Sequence, residues 1–116
     1  MRRSRQARKR EFSAEARREI LERDMGECIF CKKAYHLGKG TMFSMSGKQI
    51  MHYIPRSQGG LGVAKNGAVG CIYHHTMLDN GNEGRREEML AIFREYLKSR
   101  YEDWNEKELI YSKWND

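Results

Sequence analysis

Residues 71–81 read CIYHHTMLDNG, and the spacing at the start of this run decides what kind of protein the chain encodes. Two residues separate Cys71 from His74, the same interval that separates Cys28 from Cys31 in CIFC upstream. Two such knuckles offer four soft ligands, the number that a closed tetrahedral zinc site takes. All three cysteines of the chain fall into this pattern. Three thiols cannot all pair in disulfides, whereas a metal gives each of them a use. His75 is an alternative fourth ligand, but His74 completes the two-residue interval and is preferred. A metal shared by both knuckles would staple the early chain to its last third, and its binding energy would also be folding energy.

Downstream of the second knuckle, Asn80-Gly81 closes a short helix. A longer helix is predicted from about Glu83 to Asp103, with Met89, Ile92, Phe93, Tyr96, Leu97 and Tyr101 on one apolar stripe. The remainder, WNEKELIYSKWND, has room for one more helical turn. Upstream of the first knuckle, Ser13 is a good N-cap, and Phe12, Ala16, Ile20 and Leu21 recur at helical spacing. That helix is predicted from about Ser13 to Asp24, with Gly26 as its stop. Between the knuckles, TMFSM and KQIMHYI flank Ser46-Gly47 and read as two strands joined by a tight turn. Pro55 ends the second strand, because proline cannot donate to a ladder. PRSQGGLGVAKNG then reads as a long loop of the kind that is usually functional or disordered.

The 116 residues support one small domain, over 11–116, and their net charge of +6 is unevenly placed. Residues 1–10, MRRSRQARKR, hold basic residues and no acid, while the rest of the chain balances to zero. This composition predicts a disordered arm. With charged residues at 33% and a mean hydropathy of −0.88, apolar material is limited. A domain near this size buries roughly two thirds of its unfolded surface, so a staple would help. No run approaches the roughly 20 apolar residues of a membrane span, and the basic start lacks an apolar region after it. The expectation is a soluble, cytoplasmic protein with no membrane partner.

The other histidines set the function. His52 sits in MHYIPRSQGG, Asn66 in KNGAVGC, and His75 lies four residues before Asp79, on the same helical side. HYIPRSQGG, followed by NG and then CxxHH, with CxxC upstream, resembles the HNH endonuclease family in its zinc-stabilised form. The similarity runs from about Ile20 to Asn80. The resemblance implies an α+β fold with a ββα-metal nuclease core, pinned by zinc on Cys28, Cys31, Cys71 and His74. An N-terminal helix and a long C-terminal helix would flank that core. It also implies that His52 is the general base, that Asn66 fixes the loop holding it, and that His75 binds a catalytic magnesium or manganese ion. A neutral imidazole with a pKa near 6.5 can take a proton from water. The cation would stabilise the phosphate and the leaving oxygen, giving a 5′-phosphate and a 3′-hydroxyl.

One residue departs from the family pattern. Met51 stands where many members carry a metal-binding Asp or His, and a thioether suits neither magnesium nor manganese. Asp79 is the expected replacement ligand, and the alternative is that Met51 marks a site without activity. Arg56 and Lys65 flank the active-site loop and are expected on phosphates. Arg2, Arg3, Arg5, Arg8, Lys9 and Arg10 would add affinity for double-stranded DNA without sequence choice, and deleting them should leave the chemistry intact. The competing reading is a zinc-stabilised nucleic-acid-binding module without catalysis. A third is a nuclease for RNA or single strands.

Overall fold

Ser13 begins helix α1 (Ala14–Arg23) by chemistry that the sequence advertises. Its hydroxyl accepts from the Ala16 amide at 3.0 Å, and Asp24 is the C-cap of the helix. The chain then reverses through Met25 and Gly26, both at positive φ. The computed structural model describes residues 9–38 and 40–111. Cys28 caps α2 (Ile29–Lys32), and Thr41 caps α3 (Met42–Ser46). Strand β1 (Lys48–His52) pairs antiparallel with β2 (Gly67–Cys71), in a register that sets Ile50 opposite Val69 and His52 opposite Gly67. Helix α4 (Ile72–Asp79) follows β2 directly, and α5 (Arg86–Arg100) follows a turn over Gly81–Gly84. The last described element is a 3-10 turn at Glu106–Leu109. Among the described residues no helix is long and apolar enough to cross a membrane.

The expected hairpin is corrected. TMFSM is a helix, because Thr41 and Ser44 form a reciprocal capping box that meets the first free amides of α3. The partner of β1 is instead GAVGC, which starts at the last glycine of the expected loop and which the sequence pattern assigns to no strand. Its glycines mark close approach. A Cβ at Gly70 would lie 2.3 Å from the Met51 sulfur, and one at Gly67 would lie 2.6 Å from the Phe12 ring. The long helix also starts later than expected, at Arg86 rather than Glu83, because Asn82 and Glu83 adopt left-handed backbone. It ends at Arg100, short of Asp103.

A two-stranded sheet is marginal alone and needs cover on its faces. Phe12, Ala16, Ile20, Ala64 and Val69 form one buried cluster between α1 and the sheet. The larger cluster joins Phe30, Met51, Leu78, Met89, Phe93, Leu97 and Leu109. The buried residues of α5, Met89, Phe93 and Leu97, are spaced by four residues and so share one face. Between the clusters lies a buried ion pair that the sequence did not announce. Arg23 donates to both oxygens of Asp24, at 2.7 and 3.0 Å, and to the Ala64 and Gly67 carbonyls. Asp24 also accepts from the Val69 amide at 2.8 Å and from the Tyr96 hydroxyl. The ion pair therefore ties α1, β2 and α5 together with every carboxylate oxygen satisfied, as a buried charge requires.

Candidate functional site: a metal corner and a histidine cleft

The two knuckles fold alike. Cys28 Sγ accepts from the Cys31 amide at 3.5 Å, and Cys71 Sγ accepts from the His74 amide at 3.4 Å. Each cysteine thus caps a helix while its partner turns back toward it. The four ligand atoms of Cys28, Cys31, Cys71 and His74 all lie within 4.8 Å of one another. Cys31 Sγ is 3.7 Å from Cys71 Sγ, while His74 Nδ1 is 3.6, 3.5 and 3.3 Å from the sulfurs of Cys28, Cys31 and Cys71. Zinc bond lengths place the donors of a tetrahedron roughly 3.5–3.8 Å apart, so this set could hold a structural metal such as zinc. His74 Nε2 donates to the Tyr35 carbonyl at 2.6 Å, which leaves Nδ1 as the donor to a metal. Burial, then the charge of Cys28, pushes the Cys31 thiol up to about 12. Sulfurs this close together would become thiolates only with a cation among them. His74, not His75, is the fourth member of the cluster.

The loop between β1 and β2 is built around Asn66, which is fully buried. Its Oδ1 accepts from the Ile54 amide at 2.8 Å, and its Nδ2 donates to the Ile54 and Leu61 carbonyls. Its own carbonyl accepts from the Tyr53 amide at 2.8 Å. One side chain therefore ties both ends of the loop together, immediately after His52.

His52, His75 and Asp79 line one cleft of about 540 Å³, together with Arg17, Arg56 and Arg86. His75 Nδ1 donates to Gln49 Oε1 at 2.6 Å, and its Nε2 lies 3.5 Å from Asp79 Oδ2. His75 Nε2 and a carboxylate oxygen of Asp79 thus face each other, an arrangement that suits two ligands of one cation. His52 Nε2 donates to the Arg10 carbonyl at 2.7 Å, and its ring lies 4.2 Å from that of Phe12. Nδ1 is then the nitrogen with a lone pair. Burial depresses the pKa of His52; the Arg10 hydrogen bond works against that, while Arg56, His75 and Arg17 lower it further. A base of this kind is neutral at pH 7.

The remaining expected residues are placed as follows. Arg56 pairs with Glu11 at 3.6 Å beside the cleft. Lys65 is turned away, 2.9 Å from Asp103, and does not line the cleft. Met51 is fully buried in the main core under Gly70, so it faces hydrocarbon and not a metal. Arg2, Arg3, Arg5 and Arg8 lie outside the described residues. Lys9 and Arg10 belong to no free arm: their carbonyls accept from the Gly62 amide and from His52. Arg17, Arg86 and Gln49 were not expected at the site. Arg86 gave no signal at all, whereas Gln49 stands three residues before His52 on a strand, where a polar side chain invites a partner. No protein-family model, curated protein or solved structure matches the chain.

Proposed function

We propose that the chain is a metal-dependent endonuclease of the HNH type, with β1, β2 and α4 as its ββα-metal core and zinc in the cysteine corner. The observation that carries this reading is the convergence of His52, His75 and Asp79 on one arginine-lined cleft. His52 Nδ1 takes the proton from an attacking water, and the Arg10 carbonyl holds the ring in the tautomer that leaves that nitrogen basic. Asn66 keeps the loop after His52 in place. Arg17, Arg56 and Arg86 come from three separate elements and offer forked donors to the phosphates of a DNA strand. His75 Nε2 and Asp79 would hold a divalent cation, magnesium or manganese, which when bound supplies positive charge to the phosphate and the leaving oxygen.

Supercoiled plasmid incubated with magnesium or manganese tests the proposal. The expected result is nicking that EDTA abolishes and that His52→Ala reduces by about 10²–10⁴-fold. Nicking that survives His52→Ala would remove the assigned base. No cleavage with either metal would favour the non-catalytic zinc module, a reading supported by the burial of Met51 where the family carries a ligand.

A further inference from the structure

The most unexpected contact in the cleft comes from the chain's own N-terminal segment. Residues 9–12 cross the His52 loop and touch it at successive positions. The Lys9 carbonyl accepts from the Gly62 amide at 2.9 Å. The Arg10 carbonyl accepts from His52 Nε2, and Arg10 Nη1 donates to the Arg56 carbonyl at 2.9 Å. Glu11 pairs with Arg56, and Phe12 lays its ring against His52 while filling the space above Gly67. The fit is close. A Cβ at Gly62 would lie 2.0 Å from the Glu11 carbonyl oxygen, so the loop can carry nothing larger than hydrogen there.

We propose that residues 9–12 are a positioning strap for the reaction rather than the end of a DNA-binding tail: the Arg10 main chain selects the His52 tautomer and Phe12 fixes the ring plane. The inference rests on His52 being the base. Its physical core is simple. A neutral imidazole has one N–H and one lone pair, and whichever nitrogen donates leaves the other to accept. A main-chain carbonyl at 2.7 Å assigns the proton to Nε2 and so assigns basicity to Nδ1. Without the strap, the two tautomers compete, and a ring no longer packed against Phe12 can turn away from the attacking water. A loss of orientation of this kind lowers kcat. The strap also places Glu11 on Arg56, so its departure would free that guanidinium for phosphate and tighten binding while slowing turnover.

Three variants separate a strap from a tail, each compared with the full zinc-loaded chain. Deleting residues 1–8 retains Lys9 and Arg10, and deleting residues 1–10 removes them. Gly62→Ala keeps every side chain of the strap but drives a methyl into its backbone. The tautomer of His52 is read from long-range proton–nitrogen correlation spectra of histidine-labelled protein, and kcat from plasmid nicking. The 1–8 deletion is expected to keep the Nε2–H signature. The 1–10 deletion and Gly62→Ala are expected to lose it, with kcat at least tenfold below that of the 1–8 deletion. If the 1–10 deletion does not fold, Gly62→Ala decides alone, with zinc content as the check that its fold is intact. Retention of the Nε2–H signature and of kcat in Gly62→Ala overturns the strap. Because the spectrum reports the tautomer without any substrate, this failure is distinct from the loss of the base assignment, which only the His52→Ala assay reads.

Discussion

His74 and His75 are neighbours on one helix and do opposite things. An α-helix turns about 100° per residue, so adjacent side chains cannot share an environment. His74 is fully buried, with Nδ1 among three sulfurs. His75 keeps a side-chain exposure of 25% and turns Nε2 toward Asp79 in the cleft. Both follow one rule of construction: each ring spends one nitrogen on an anchoring hydrogen bond and presents the other. The anchors differ in kind. His74 is held by a main-chain carbonyl, at Tyr35, which no substitution can delete. His75 is held by the Gln49 side chain, which a single mutation removes. The metal corner is thereby fixed by the fold, while the cleft remains adjustable.

The largest effect that would break this contrast is an exchange of roles on α4. His74→Ala is expected to lose zinc, and with it much of a binding energy of about 10–16 kcal/mol, leaving a chain without a cooperative melting transition. His75→Ala is expected to keep one equivalent of zinc and a nearly unchanged melting temperature while losing cleavage. Elemental analysis and circular dichroism melts of the two variants distinguish the outcomes. A zinc-free His75→Ala protein would mean that the two histidines are coupled rather than divided.

The sequence carried the corner almost completely and the cleft only in part, for physical reasons that particular residues show. Ligand spacing is a local property, so CIFC and CIYH could be read directly. The sheet could not. Gly67 and Gly70 are glycines because Phe12 and Met51 press against them, and such close approach is invisible without the tertiary partner. Thr41 and Ser44 had the chemistry of a helix start, but TMFSM is apolar enough to read as strand. Lys9 and Arg10 read as tail because charge density was their only signal, whereas their structural role uses main-chain carbonyls common to every residue. Arg23 and Asp24 looked like an ordinary helix end and are the buried tie among three elements.

A smaller effect sharpens the comparison on the loop side. Asn66→Ala leaves the Ile54 amide and the Ile54 and Leu61 carbonyls without their partner. Each buried group left unpaired costs about 1–3 kcal/mol. A lowered melting temperature and faster amide exchange at Ile54 are expected, with zinc retained. Smaller again is Gln49→Leu, which releases the His75 ring. It is expected to weaken divalent-cation binding in the cleft by about 10–100-fold, as loss of an orienting partner does elsewhere, without changing the melting temperature. Titration of manganese by electron paramagnetic resonance reads this, and an unchanged affinity would show that Gln49 orients nothing.

The smallest expected effect concerns protons. Burial, assisted by the charges of Arg56, His75 and Arg17, holds His52 below its ordinary value of 6.5, with the Arg10 carbonyl pulling the other way. The folded protein therefore binds this proton less readily than the unfolded chain. Stability from this group is complete above 6.5 and is lost progressively as the pH falls through that value toward the lower folded pKa. The acid limb of kcat is expected to lie below 6.5 for the same reason, since the base stays neutral further into acid. Arg56→Gln removes one of the charges that depress His52, so its acid limb moves toward higher pH. If the proposed function holds, the same change also removes a donor to phosphate, and KM is expected to rise. A pH profile of single-turnover nicking separates the two consequences: a raised KM with an unmoved acid limb would mean that Arg56 touches substrate but does not sense the proton on His52.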